Sequence, residues 1–424
     1  MFISIFLQIE IPVQSLYNIH VKNSNVKGDL NMEMKTNYPM VLVHGMLGFG
    51  EDELMDRIAP YWGMLSGSTK QYLEDLGFEV YCPSVGKYSS AWDRACELYA
   101  QLIGGTVDYG EAHAKKYGHK RFGRTYKKPL FEGFGSDKKV NLWGHSFGGA
   151  TIRLFATLMA YGSEAEKAAT PENELSDLFK GGKEDWIFSI TAVASVHEGT
   201  TLLYSAKDIM DKLEDVTYML ANISGNNPLG WFYESHMEQW DLCGFENGKV
   251  TSKPFSRTNQ KRVKDSHDNV WYDLTMQGAK EVNETIKCLP NVYYFSWPCC
   301  KTSQKFFSLK PRQTPQLTMC PLFWPFSRSI GNYPKNTVDD YPIDEHWLAN
   351  DGVVPTISET APFNEPHMDL HDLKGEPKKG MWYVYDTFHE DHLGIIGGFL
   401  LPTNTAYMRD IYKNHARLLC QLEK

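Results

Sequence analysis

The run KKVNLWGHSFGGATIRLFATLMA, residues 138–160, constrains this chain more than any other stretch, because it reads as strand, sharp turn and helix with a serine at the turn. Residues 140–143 are a short apolar run stopped by Gly144. Beyond Gly148, Ile152, Leu154, Phe155, Leu158 and Met159 return at roughly helical spacing. A serine hydroxyl is a weak nucleophile until a base takes its proton and backbone donors await the oxyanion. In GHSFG, a G-x-S-x-G pattern, Gly144 and Gly148 let strand and helix close around Ser146 and push its side chain out above the sheet. A glycine-rich βα turn with an incidental serine is the plainer alternative. The strand before the turn and the helix after it favour a nucleophile.

The rest of the chain keeps the same rhythm. PMVLVHG (39–45) is a buried strand running into a glycine turn, and GFEVYCP is a second strand; WIFSITAVAS, NVYYFSW and MWYVYDTF follow the serine. Residues 91–105 form a helix with Trp92, Ala95, Cys96, Tyr99, Leu102 and Ile103 on one stripe and Gly104 and Gly105 at its end. Strands alternating with helices predict an α/β fold, a mostly parallel central sheet with helices on both faces. We expect one domain over 37–424, preceded by a disordered N-terminal extension, 1–36, whose apolar start lacks the basic residues of a signal peptide. Two segments interrupt the rhythm, an insert at about 88–126 and a stretch at about 200–270. In the second, Ile209, Leu213, Val216 and Leu220 form an apolar stripe ahead of SGNNPLG, which reads either as ordinary covering helix or as a lid that buries this stripe over an apolar cleft. Residues 301–342, rich in proline, serine and basic groups, read as a long surface loop.

Composition excludes more than it assigns. A formal net charge of −9 argues against a nucleic-acid partner. No run of 18 apolar residues predicts a transmembrane segment. Eight cysteines in 424 residues do not make a disulfide framework, so most read as small buried side chains.

Ser146 needs a base, and on this fold the chain order is nucleophile, acid, histidine. His392, in the turn HEDHLGIIGG after the last strand, suits the base, because the apolar LGII behind it can anchor its loop; His389 competes. For the acid, Asp351 in NDGVVP stands beside Asp339, Asp340 and Asp344 as alternatives. The oxyanion donors are the main-chain N–H of Phe147, after the nucleophile, and of Met46, after the HG pair His44 and Gly45.

The segments VLVHGMLGFG, WDRACELYAQLIGGTVDYGEAHAKKYGHKRFGR, GHSFGG, WLANDGVV and DHLGIIG resemble, in order and spacing, the bacterial lipase family typified by the thermophilic Bacillus-type zinc-containing lipases, with their clostridial polyester-cleaving relatives. The resemblance runs from about Tyr38 to the C-terminus. It implies an α/β-hydrolase with a zinc-binding insert and a helical lid, cleaving acylglycerols and related lipid esters at a lipid–water interface through Ser146, Asp351 and His392, with aliphatic polyesters as further substrates. It implies structural Zn²⁺ on Asp93, His113, His119 and, in MEQW, Glu238, where the family carries aspartate. Two imidazoles and two carboxylates would make a closed, charge-balanced site that braces the lid's hinge. The family's calcium site has an acidic residue two places after the catalytic histidine and an Asp-Pro beyond; Gly394 and GGFLLP stand there, so no calcium is expected. The resemblance further implies secretion, against the poor leader, and we expect a monomer. An acyltransferase, thioesterase or amidase using the same serine is the competing reading, and a non-catalytic lipid-binding module a more distant one.

Overall fold

Seven parallel strands make the central sheet, six of them foretold by the apolar runs. In the computed structural model, which describes residues 34–424 apart from 225–233, 247–248, 252, 306–307, 309, 334–336, 340 and 402, they are β1 (Met40–Val43), β2 (Val80–Tyr81), β3 (Val140–His145), β4 (Ile187–Val193), β5 (Tyr293–Trp297), β6 (His367–Asp369) and β7 (Trp382–Val384). Among the described residues they form one sheet in the order β6-β7-β5-β4-β3-β1-β2, every pairing parallel. Successive side chains point to opposite faces, so Val41, Val43, Leu142 and Ile190 enter one apolar core while Met40, Leu42, Trp143 and Phe295 enter the other. Both faces are covered, which is why these strands read as continuous apolar runs rather than alternating ones. The predicted α/β-hydrolase architecture is the one observed.

Helices α1 (Ala91–Ile103) and α2 (Gly148–Tyr161) share one face with each other, and the C-terminal helix Thr405–Gln421 packs on the opposite core through Met408, Ile411, Tyr412 and Leu419. Ser90 caps α1 by accepting from Asp93 N–H, which satisfies an orphan donor of the first turn. The insert folds as α1, then an antiparallel hairpin (Gly105–Asp108 with Phe122–Tyr126) enclosing the helix Glu111–Tyr117.

Three expectations change. Residues 301–342 are not one surface loop: Thr302–Gln304 pairs with Gln313–Pro315, and the helix Trp324–Gly331 follows, burying Ile330. Pro325 lies in that helix's first turn, where the missing N–H costs nothing. The edge strand β6 was not foreseen, because its three residues are polar or half-exposed. The stripe Ile209, Val216 and Leu220 on α3 (Lys207–Ser224) is 52%, 42% and 45% exposed, not buried; α3 packs instead through Met210, Thr217, Tyr218 and Ala221, the neighbouring face, with Leu213 half-buried between them. Most of the N-terminal extension and the SGNNPLG run lie outside the described residues. All eight cysteines are free, six of them buried. Among the described residues no helix is long and apolar enough to cross a membrane.

Candidate active site and metal cluster

Ser146 sits where β3 turns into α2, with φ +56°, a left-handed conformation that a serine adopts only when its surroundings hold it there. Close approach sets the glycines beside it. A Cβ on Gly148 would lie 2.4 Å from Val43 O, and one on Gly45 would lie 2.7 Å from Ser146 Cβ. The loop after β1 therefore passes directly against the serine.

His392 Nε2 lies 2.8 Å from Ser146 Oγ, and its Nδ1 lies 2.5 Å from Asp351 Oδ2. All three are buried. Asp351 Oδ1 accepts from Val353 and Val354 N–H at 2.9 and 2.8 Å, and His392 N–H donates to the Asp351 carbonyl at 3.0 Å, so the acid is held from both sides. Burial works against its ionisation, but the His392 imidazole and these donors outweigh it and hold the carboxyl below the usual range. The competitors are elsewhere: His389 is exposed, Asp339 bonds Tyr204, and Asp344 caps a turn through His346 N–H; Asp340 lies outside the described residues. Serine, histidine and aspartate thus stand in the order and contact that base-assisted nucleophilic attack requires.

The loop that carries Met46 is fixed by side chains the motif did not reveal. Arg94, from α1, donates to the His44 carbonyl, and its guanidinium lies 5.1 Å from the centre of the buried Phe147 ring. His44 donates from Nδ1 to Gly45 O (2.7 Å) and accepts at Nε2 from Val85 N–H (3.1 Å), which fits one neutral tautomer; burial beside Arg94 and Lys87 keeps its pKa well below the usual value. No main-chain or side-chain acceptor of the described residues takes the N–H of Met46 or of Phe147.

A second chain of hydrogen bonds links this loop to the histidine. Tyr61 hydroxyl accepts from Gly45 N–H at 2.9 Å and so donates to His145 Nδ1 at 2.6 Å; His145 Nε2–H then donates to the His392 carbonyl at 2.8 Å. Burial, with the neighbouring His392, depresses the His145 pKa to about 3, so it stays neutral and the direction of the chain is fixed. Tyr61→Phe is expected to lower kcat about tenfold, with KM within about twofold, because it orphans Gly45 N–H beside Ser146. Initial rates on p-nitrophenyl butyrate check this; a change in kcat below about twofold would mean that His44 and Arg94 hold the loop alone.

In the insert, Asp93, His113, His119 and Asp268 bring one ligand-type atom each within 4.8 Å of the others. His113 Nε2 is 3.3 Å from Asp93 Oδ1 and 3.2 Å from Asp268 Oδ1, and His119 Nε2 is 3.1 Å from Asp268 Oδ2. Asp93 Oδ1, Asp268 Oδ2 and both Nε2 atoms are buried without a hydrogen-bond partner. Four orphaned donors converging on one point are what a tetrahedral metal ion satisfies. The orienting contacts are present as well: His119 Nδ1 lies 2.8 Å from Lys120 O, Gln239 Nε2 donates to Asp93 Oδ2 at 2.7 Å, and Trp92 stacks on His113 with centroids 4.9 Å apart.

Glu238 is not part of this cluster and corrects one expectation. Its carboxylate pairs with the buried Arg124 guanidinium, while Asp268, in the loop after the helix Arg257–Asp265, is the fourth member of the cluster. The aspartate implied by the family resemblance is therefore present, thirty residues further along the chain. Just before His392, the Asp391 carboxylate accepts from Cys320 N–H (2.7 Å) and Gly394 N–H (2.8 Å), and Lys301 Nζ lies 3.3 Å from Glu390.

Residues 36–424 match the family described as "Lipase-like, C-terminal domain". The chain is 34% identical over 371 residues to "Lipase 1" of Staphylococcus aureus (strain MRSA252), covering 86% of this chain and 51% of that protein. It spans about half the length of the curated relatives it matches. Among solved structures, EstA from Clostridium botulinum shares 36% identity at a TM-score of 0.74, covering 92% of this chain and 89% of that one. Staphylococcus hyicus lipase shares 30% at 0.75, covering 91% and 96%.

Proposed function

We propose ester hydrolysis, because the chain belongs to the Lipase-like, C-terminal domain family and carries a serine in contact with a histidine that contacts an aspartate. The observation that carries the reading is the pair of contacts at His392, 2.8 Å to Ser146 Oγ and 2.5 Å to Asp351 Oδ2. His392 takes the Ser146 proton as Oγ attacks the ester carbonyl, and Asp351 stabilises the imidazolium that forms. The oxyanion develops against the N–H groups of Met46 and Phe147. His392 then protonates the leaving alcohol and activates the water that releases the acid from the acyl-enzyme. Acylglycerols and related lipid esters are the proposed substrates. A fluorophosphonate probe tests the nucleophile: one adduct per chain on Ser146 is expected, and labelling at any other residue would sink the reading.

The cluster of Asp93, His113, His119 and Asp268 is proposed to hold zinc. Two neutral imidazoles and two carboxylates balance a divalent charge, and four protein ligands leave no open position for chemistry. Its role is to brace. Asp268 leads directly into Asn269 and Trp271, whose Nε1–H donates to Thr217 on α3 at 3.2 Å, and Lys264 bonds Asp215 on the same helix at 2.6 Å. Both this site and the triad are completed within one chain, which supports a monomer.

The exposed stripe of α3 supports a lid that meets a lipid surface with its apolar side outward. Replacing Ile209 and Val216 together by serine is expected to lower the rate on emulsified tributyrin about tenfold, while the rate on a dissolved short-chain ester stays within about twofold. Equal losses on both substrates would place the stripe in folding rather than at the interface.

A further inference from the structure

Behind the acid of the triad stands a second buried carboxyl that the reaction does not use. Glu359 ends the short helix Thr356–Glu359, which follows Asp351 in the same loop, and its side chain is fully buried. One carboxylate oxygen of Glu359, one of Asp351 and one nitrogen of His392 lie within 4.8 Å of one another. Glu359 Oε2 accepts from Cys299 N–H at 2.5 Å, but Oε1 is buried with no donor facing it.

Among the described residues no lysine or arginine is ion-paired or hydrogen-bonded to Glu359. The largest side-chain influences on it come from Asp351 and then Cys300, both of which disfavour its ionised form. Lys301 gives its ammonium to Glu390 and to the His389 carbonyl. Asp351 is already the recipient of two main-chain N–H groups and the His392 Nδ1–H. Two adjacent carboxylates deprived of water do not both ionise; one proton is shared between them, and it settles on the partner with fewer donors. Asp351 has three donors and Glu359 one.

We propose that Glu359 is a neutral carboxylic acid whose proton sits on Oε1 and is donated to the Asp351 carboxylate, making it a positioning residue for the acid of the triad. This rests on the reading of Ser146, Asp351 and His392 given above. Burial first, and then the Asp351 charge, push the Glu359 carboxyl well above its usual range, in keeping with that geometry. No proton moves along this bond in turnover: the Ser146 proton goes to His392, Asp351 stays ionised, and Glu359 keeps its own. Its effect is to fix the Asp351 rotamer and to leave a single negative charge beside the imidazole. Were both carboxylates charged, His392 would hold its proton to higher pH and serve less well as a base.

The test compares Glu359→Gln, which keeps a neutral donor, with Glu359→Leu, which removes it at similar volume. The glutamine variant is expected to retain kcat within about threefold with the acidic limb of kcat/KM unmoved, whereas the leucine variant loses about tenfold or more in kcat with KM nearly constant. Infrared difference spectra of wild type against Glu359→Gln at neutral pH should show a protonated-carboxyl stretch, shifted in D₂O, that the variant lacks. Absence of that band, a glutamine profile whose acidic limb moves to lower pH by about one unit as it would on losing a charge, or a folded leucine variant with unchanged kcat would each overturn the proposal. The band is read without turnover and the nucleophile by fluorophosphonate labelling. A missing band with normal Ser146 labelling therefore sinks this inference alone, and missing labelling sinks the triad reading.

Discussion

Ser146→Ala is expected to lower kcat on p-nitrophenyl esters by on the order of 10⁶ while leaving the fold intact. The size of the effect follows from how the three side chains act as a unit. Without Oγ, His392 has no proton to take, and what remains is the rate that the Met46 and Phe147 donors and substrate binding supply, about 10³ over water. The substitution is mild for stability, because Oγ makes its hydrogen bond to His392 alone and the strained φ of +56° is enforced by the close packing of Gly45, Gly144 and Gly148 around the turn. Asp351→Asn is expected to cost about 10⁴ through the imidazole tautomer it imposes. Rates from acetate to palmitate esters, with melting curves on the same preparations, check both. A Ser146→Ala rate within about tenfold of wild type would move the nucleophile elsewhere and reopen acyl transfer and lipid binding as functions. Product that depended on an added acyl acceptor in the wild type would favour the transferase.

The elbow was legible because its constraint is local: a strand, two glycines at fixed spacing and a helix occupy consecutive residues, and the steric reason for each glycine lies within that span. The acid was not. Asp351 and Asp344 are alike in sequence, and only the fold shows that Asp351 meets His392 while Asp344 caps a turn. The fourth metal-cluster residue failed for a related reason. Glu238 is buried and acidic as a ligand should be, yet it answers Arg124, a partner 114 residues away that nothing in the sequence pairs with it. Asp268, in a charged loop, looks like a solvated residue until His113 and His119 close over it. On α3 the periodicity grouped the right residues and the wrong side was taken as buried: Met210, Tyr218 and Ala221 are also apolar, and spacing alone does not say which of two adjacent stripes meets the protein. His145 and Tyr61 were invisible for a different cause. Their role is a direction of hydrogen bonding, which exists only once Gly45 and His392 have been brought to opposite ends of the chain they form.

Asp268→Ala and Glu238→Gln should separate the two assignments of the metal cluster. Asp268→Ala is expected to lose the bound ion and to lower Tm by about 5 °C, the shift that follows from removing a ligand held at about a thousand times its dissociation constant. Chelation of the wild type should give the same melting curve, and added zinc should restore the wild type but not the variant. Glu238→Gln should keep one zinc per chain by elemental analysis and still be destabilised, because it leaves the Arg124 guanidinium buried with its charge only partly answered by Glu234 at 2.9 Å. The metal loss acts on catalysis only at a distance. Asp93 is the residue before Arg94, which holds the His44 carbonyl of the oxyanion loop, and Asp268 leads to Trp271 and so to α3. The rate on a soluble ester well below the lowered Tm should therefore fall less than about tenfold, and the rate on emulsified ester further, as α3 loses its brace. If Glu238→Gln lost the metal while Asp268→Ala retained it, the cluster as drawn would be wrong; if chelation abolished the soluble-ester rate with the fold intact, the ion would belong to the chemistry and not to the scaffold.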